Sequence, residues 1–302
     1  MSSAGAAFRA GEFVDPEEAN VSSFDLGLFN SDSVYDVVSV WGGRFFMLDE
    51  HLERFEASAR SWRLEIPHSR AEIKRIVAEL VSRAGLENAY VKVQLTRGRP
   101  PVPSRDPRRA VPVFVALAIP YVWIWGEQRC REGGALHVSS IERISTRAVD
   151  TNVKNYCRAD FVQSQFEAFE RDCDDAVLLG PDGRLTEGIG WNILLVHGGS
   201  VSSPRDNVLG GITRMAVQEI CVEKGIPFEL AHHGLVALEG ADEVFLSSTA
   251  GGVLPVLSVD GRDVGDGAPG PVTRRIQAEY WKRREQGWHG TPVAELLRIT
   301  AP

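Results

Sequence analysis

The stretch VYDVVSVWGGRFFML, residues 34–48, constrains the fold more than any other. Two strand-like runs, one rich in valine and one in aromatic residues, meet at Gly42-Gly43, a pair suited to the positive φ angles of a tight hairpin. A sheet therefore stands near the start of the chain. DEHLERFEASARSWRLEI follows, with Leu52, Phe55, Ala59 and Trp62 at helical spacing and Asp49 placed to cap the helix. SRAEIKRIVAELVSRAG reads as a second amphipathic helix that stops at Gly85. AYVKVQLTRG and AVPVFVALAIPYVWIW read as strands, joined by the proline- and arginine-rich loop RGRPPVPSRDPRR. A long irregular loop inside a compact domain often carries function. Residues 1–119 thus read as a small α/β domain, 120–126 as a linker and 127–302 as a larger domain.

The larger part is richer in turns. GGALHVSSIERIS predicts a strand pair, and DFVQSQFEAFERD a helix. DAVLLGPDGRLTEGIGWNILLVHGGSVSSP predicts three short strands joined by Pro-Asp-Gly and His-Gly-Gly turns. A helix at GGITRMAVQEICVEKG, a strand–glycine turn–strand–hairpin at DEVFLSSTAGGVLPVLSVDGRDV and a helix at PVTRRIQAEYWKRREQ complete the chain.

Composition removes several function classes. With 302 residues, 43% hydrophobic and 25% charged, the chain suits a soluble globular protein with room for two domains. It has no run of about 18 apolar residues that would span a membrane, and its first residues do not read as a secretory signal. The four cysteines, Cys130, Cys157, Cys173 and Cys221, form no CxxC pair. They read as free thiols of a cytoplasmic protein, with no metal site. A net charge of −8 argues against a sequence-independent grip on nucleic acid, yet leaves room for one basic pocket.

Four short segments could carry chemistry. In DTNVKNYCRAD, residues 150–160, a lysine stands just ahead of a helix; it is either part of a solvated loop or an amine for an aldehyde cofactor. LGGITRMAV, residues 209–217, puts glycines and a threonine at a helix mouth, where free N–H groups and the helix dipole can hold a phosphate. SSTAGG, residues 247–252, offers hydroxyls in a glycine turn after a strand. LTEGIGWNILLV holds Glu187 between a strand and two glycines, and a buried carboxylate there needs a cation such as a pyridinium. Each segment also has a plain structural use as a turn. Their order, lysine, glutamate, helix-mouth threonine and Ser-Thr turn, is the parts list for pyridoxal 5′-phosphate.

Together with the opening SD–YDV–VWGGRFFMLDEHLERF and the closing GDGAPGPVTRRI, these motifs resemble the class IV aminotransferases, the fold-type IV pyridoxal phosphate enzymes. That group includes branched-chain and D-amino acid aminotransferases, aminodeoxychorismate lyases and (R)-selective amine transaminases, and the wording is nearest the last. The resemblance covers nearly the whole chain. It implies a two-domain α/β (α+β) fold whose C-terminal domain has a barrel-like β core, and a homodimer with sites near its interface. It implies Lys154 as the Schiff-base lysine and proton shuttle, and Glu187 as the partner of the pyridine nitrogen. Arg54, the backbone of Ile212 and Thr213, and Thr249 would hold the phosphate, with Leu209 on the ring face; Asn192, Gly211 and Ser248 would also bind the cofactor. Tyr35, Tyr90 and Ala250 would line the substrate pocket, with the SRDPRR loop near its entrance.

Three positions depart from the amine transaminase pattern. Lys92 replaces a glutamate two residues after Tyr90, Arg158 replaces a tryptophan four residues after Lys154, and Asn30 replaces a histidine. Lys92 and Arg158 would suit a substrate carboxylate. The leading expectation is ping-pong transfer from an (R)-amine or D-amino acid to a 2-oxo acid such as pyruvate. The alternatives are a branched-chain or D-amino acid aminotransferase and an aminodeoxychorismate-type lyase.

Overall fold

The computed structural model describes residues 4–102 and 104–298. The chain divides into two compact units, each built on its own sheet.

The first unit carries a seven-stranded sheet. Its strand order is Gly290–Pro292, Arg44–Phe46, Ser33–Trp41, Ala89–Arg99, Val111–Pro120, Ala6–Arg9, Glu12–Val14, and every pairing is antiparallel. Side chains alternate between faces along each strand. Val34, Val38 and Val40, with Val91, Val93 and Leu95, form one apolar face. The helices Leu48–Ser61 and Arg70–Ala84 cover it with Leu52, Phe55, Ile73, Ile76 and Leu80. The second helix has a full capping box between Ser69 and Glu72, and it ends at Gly85 in the left-handed region, φ 63°.

The expected Asp49 cap is absent. The first helix starts at Leu48, directly behind Met47, which is left-handed at φ 48° and makes no side-chain cap. The strand Arg44–Phe46 feeds straight into the helix, so no extended residue is left to cap it. Asp49 lies in the first turn and pairs with Lys74 at 2.6 Å.

The domain boundaries also differ from the expected 119 and 126. The first unit runs through Tyr121, and two later segments belong to it: Val153–Cys157 and the chain from Arg284 onward. The reason lies on one edge of the strand Ser33–Trp41. Its other edge pairs with Ala89–Arg99 from Ser33 through Val40, whereas Arg44–Phe46 pairs on this one only at Val40 and Trp41. The segment around Lys154 fills the rest of that edge. Asn155 bridges Val34, the Tyr35 N–H donates to the Lys154 carbonyl at 3.0 Å, and Val153 joins the apolar core.

The second unit holds the remaining strands. Their order is Phe228–Ala231, Ser200–Pro204, Trp191–His197, Glu243–Ser248, Gly252–Val259, Gly134–Val138, Asp175–Val177. Off this order, the strand Arg262–Asp263 pairs with the end of Gly252–Val259, and the two-residue strand Glu187–Gly188 pairs with the start of Trp191–His197. On its other side, Leu178 N–H donates to the Glu187 carbonyl and Thr186 N–H to the Leu178 carbonyl. These bonds close six strands into a ring, the barrel-like core that the resemblance implies. Of the predicted strand pair at 133–145, only Gly134–Val138 forms; Ser139 onward is irregular and ties to Glu167 through Ser139 and Ser140. Among the described residues, no helix is long and apolar enough to cross a membrane.

Candidate active site

The predicted site residues divide between the two units.

In the first unit, strand alternation sends Tyr35 and Asp36 to opposite faces. Asp36 lies on the helix-covered face, fully buried among valines. A lone carboxylate there would be costly, and it is instead saturated with donors. Arg54 Nε donates to Oδ2 at 2.7 Å and Arg54 Nη2 to Oδ1 at 2.8 Å. His51 Nδ1 and the Val37 N–H each donate to Oδ1 at 2.7 Å. Burial works to raise the Asp36 carboxyl, but the Arg54 guanidinium and the His51 bond outweigh it and hold it well below the usual carboxylate range. Burial in turn lowers His51 against the opposing pull of Asp36. His51 and Arg54 are three residues apart on one helix face. Neither Asp36 nor His51 was among the predicted residues. The signal for them was a single acid in an otherwise apolar strand, with a histidine and an arginine 15 and 18 residues beyond it on the next helix.

The other face of that sheet carries the lysines. Tyr35 and Tyr156 rings lie 4.6 Å apart. The Lys92 ammonium sits 5.4 Å from the Tyr35 ring and 4.9 Å from the Tyr156 ring. The Lys154 ammonium sits 4.9 Å from the Tyr35 ring. Tyr156 donates to Gln94 Oε1 at 2.7 Å. Tyr90 follows the same alternation as Lys92 and Gln94 and is half-buried. The backbone of Lys154 is pinned on both sides, its carbonyl by Tyr35 and its N–H by Ser58 Oγ at 3.1 Å. The SRDPRR loop forms a short 3-10 turn, Pro107–Arg109, where Arg108 pairs with Asp106 at the surface. Asn30 ends the short helix Leu26–Phe29.

In the second unit, Glu187 is 5% exposed and stands on the strand that closes the ring. Its Oε2 accepts from Asn192 Nδ2 at 3.1 Å and from the Leu209 N–H at 2.9 Å. Asn192 also donates to the Leu209 carbonyl at 3.0 Å. Asn192 and Leu209 thus build the clamp around Glu187. Gly211 must be a glycine, since a Cβ there would lie 1.9 Å from Asn192 Oδ1. It caps the helix Ile212–Glu223, which has no side-chain cap over its first N–H groups, and both Ile212 and Thr213 are buried. A helix mouth of this kind, left without a capping side chain, is a ready anion site.

The turn after Glu243–Ser248 completes the cluster. Ser248 Oγ is engaged inside the turn, donating to the Gly190 carbonyl at 2.8 Å and accepting from the Ala250 N–H at 3.1 Å. Thr249 beside it is half-buried and Ala250 buried. Ser247 Oγ is buried and has no hydrogen-bond partner among the described residues. It stands opposite Asn192 on the neighbouring strand. Arg158 heads the helix Ala159–Phe169, with its guanidinium 5.3 Å from the Phe161 ring.

Sequence reading also missed Arg143, which lies 3.6 Å from Glu187 Oε1 and is 6% exposed. Nothing in its local sequence marks it, because its partners come from two distant segments.

Residues 33–259 match the family model for amino-transferase class IV, and the chain belongs to that family. It is 32% identical over 278 residues to a D-alanine aminotransferase of Staphylococcus haemolyticus, covering 91% of this chain and 96% of that one. Among solved structures, it resembles a T.th. branched-chain amino acid aminotransferase with pyridoxamine 5′-phosphate. That likeness has a TM-score of 0.89 and 28% identity, and spans 97% of this chain and 100% of that one. The branched-chain aminotransferase of Thermoproteus uzoniensis with norvaline gives a TM-score of 0.87 at 29% identity, over 96% and 99% of the two chains. The names of these relatives carry amino acid substrates, as in the alternative reading of an aminotransferase for branched-chain or D-amino acids, and none of these names carries an (R)-amine.

Proposed function

We propose that this enzyme moves an amino group from an amino acid to a 2-oxo acid, by a ping-pong cycle, with pyridoxal 5′-phosphate as its cofactor. When bound, that cofactor supplies an aldehyde for an amine to join and a protonated ring that takes up electron density released at the substrate carbon. The residues present fit it. The helix mouth at Ile212 and Thr213 has no side-chain cap, Gly211 leaves no side chain in the approach, and Ser247 Oγ is buried without a partner among the described residues. Glu187 is a buried carboxylate held in one position and suits a ring N–H.

Within this reading, Lys154 Nζ is the amine for the aldehyde and the base that lifts the substrate α-proton. Its backbone, tied to Tyr35 and Ser58, fixes where that amine starts. Arg54, Ile212, Thr213 and Thr249 bind the phosphate. The fork of Arg54 is oriented by Asp36, so its planar guanidinium is presented in one direction. Ser248 holds the turn that carries Thr249. Tyr35, Tyr90 and Ala250 line the substrate pocket. The active form is a homodimer.

The observation that carries the amino acid donor is the sharing of one tyrosine ring by two lysines. Lys92 and Lys154 stand 5.4 and 4.9 Å from the ring of Tyr35. A second cation beside the reacting amine is a poor neighbour for a neutral amine donor and a good one for a carboxylate. The test is the half-reaction without acceptor, followed by loss of the cofactor's visible absorbance. D-alanine or L-leucine should bleach the protein, (R)-1-phenylethylamine should not, and Lys92→Met should slow the amino acids selectively. Rapid bleaching by the amine alone would overturn the reading in favour of an amine transaminase. Pyruvate release from aminodeoxychorismate without an acceptor would overturn it in favour of a lyase.

A further inference from the structure

Arg143 carries an inference that the assigned residues do not. It is 6% exposed, and its guanidinium lies 4.1 Å over the Phe161 ring. Nη1 donates to Asp160 Oδ2 at 2.6 Å, and Nη2 stands 3.6 Å from Glu187 Oε1. Nε is buried with no partner among the described residues. Asp160 is itself taken up, accepting from the Ile144 N–H at 2.9 Å and the Phe161 N–H at 2.9 Å. A buried guanidinium with one close carboxylate and one unmet N–H is a costly arrangement for mere structure.

A second carboxylate answers the charge, at Nη2 rather than at the unmet Nε–H. The charged groups of this unit that act on Glu187 include Arg143 at 3.6 Å and Arg214, whose own charge Glu187 supports against burial. Asp160 faces the far side of Arg143. Glu187 therefore sits between an amide clamp on Oε2 and a cation on the side of Oε1. At that distance in a dry interior the attraction is large on the scale of a proton equilibrium.

We propose that Arg143 is a positioning residue that keeps the Glu187 carboxylate ionised and, through it, sets how firmly the cofactor's ring nitrogen holds its proton. The cation makes Glu187 a weaker base. A weaker base draws the ring proton less strongly, so Arg143 lowers the proton affinity of the ring nitrogen from what Glu187 alone would give. The inference rests on the cofactor reading above for its second half only; the first half concerns Glu187 in the protein without cofactor.

Two measurements separate those halves. In the apo protein, the Glu187 carboxyl carbon is followed by NMR after ¹³C-glutamate labelling, with Glu187→Gln to assign it. Arg143→Met should raise its titration midpoint by about one pH unit, a tenfold gain in proton affinity of the size expected for one nearby charge. Arg143→Lys, which keeps the charge, should leave it near the wild-type value. In the holoenzyme, ¹⁵N-labelled pyridoxal phosphate reports the ring nitrogen, whose midpoint should rise in the same direction in Arg143→Met. If removal of the arginine alone impairs folding, Arg143→Met with Asp160→Asn removes both charges and should still raise both midpoints. An unchanged Glu187 midpoint in these variants would overturn the proposal, as a purely structural tether would predict. A shifted Glu187 with a protein that takes up no pyridoxal phosphate would overturn the cofactor reading and leave the Arg143–Glu187 coupling standing.

Discussion

Arg54 meets Asp36 through a two-pronged bond, Nε to Oδ2 at 2.7 Å and Nη2 to Oδ1 at 2.8 Å, inside the apolar face of the first sheet. Replacing Asp36 with Asn leaves Arg54 charged and without this anion. We expect a loss of about 3–5 kcal/mol at pH 7, the range for breaking one side of a buried pair. The effect should depend on pH with a fixed sign. The folded state holds the Asp36 carboxyl below its usual range, so the stabilisation is complete above the unfolded carboxylate value of about 4 and drains away as pH falls below it. Urea unfolding of wild type and Asp36→Asn at pH 7, 5 and 3 checks this; a gap that widened toward acid would be inconsistent with it.

Lys154 is pinned through its backbone, and its side chain makes no contribution to that pinning. Lys154→Ala should therefore fold normally, with a far-UV circular dichroism spectrum and Tm close to wild type, while amino transfer falls by about 10²-fold or more. Ser58→Ala removes the hydroxyl that accepts the Lys154 N–H and should lower activity less, with cofactor binding retained. Full transfer activity in Lys154→Ala would remove the lysine from the mechanism.

Asp175 is a buried acid of the opposite kind. It accepts the indole N–H groups of Trp191 at 2.7 Å and Trp125 at 3.4 Å, with no ion-pair partner among the described residues. Burial raises its carboxyl, more than these bonds lower it. The folded state thus binds this proton more tightly than the unfolded chain, and stability declines as pH rises from about 4 through the raised value. Asp175→Asn keeps an acceptor for Trp191 and carries no charge. It should gain on the order of 1 kcal/mol at pH 7 and no more than match wild type in acid, as read from Tm across the pH range.

Two of the four cysteines should be silent. Burial pushes the Cys130 thiol up to about 11 and the Cys221 thiol up to about 12, so neither offers thiolate at neutral pH. Cys157 and Cys173 are half-buried. Iodoacetamide at mildly alkaline pH, followed by mass mapping, should label only these two in the native protein and all four in guanidinium. Native labelling of Cys221 would show that its helix opens locally.

The parts of the site that would touch the cofactor were legible because they are local signals. A lysine before a helix, a Glu-Gly pair and glycines at a helix mouth each occupy a few consecutive residues. Asp36, His51 and Arg143 act on other side chains, and their partners are assembled by the fold; Arg143 meets Glu187 only because the ring of strands closes at Leu178 and Glu187. The strands and long helices were legible from alternation and helical spacing. The assignment of residues 153–157 to the first unit was not, because it depends on a half-filled strand edge, a property of register rather than of composition. Hydroxyl counting likewise could not show that Ser248 is spent within its own turn while Ser247 is left without a partner among the described residues.

The strand Gly290–Pro292 pairs with Arg44–Phe46 at the margin of the first sheet, so that sheet draws its outermost member from the far end of the chain. During synthesis, the first unit must wait with an open, apolar-backed edge until the second unit has been translated in full. An open strand edge is a template for pairing with neighbouring chains. The interval between the emergence of Arg44 and the arrival of Gly290 is therefore the window in which a growing polypeptide of this kind most needs protection, and truncation just ahead of Arg284 would make that window permanent.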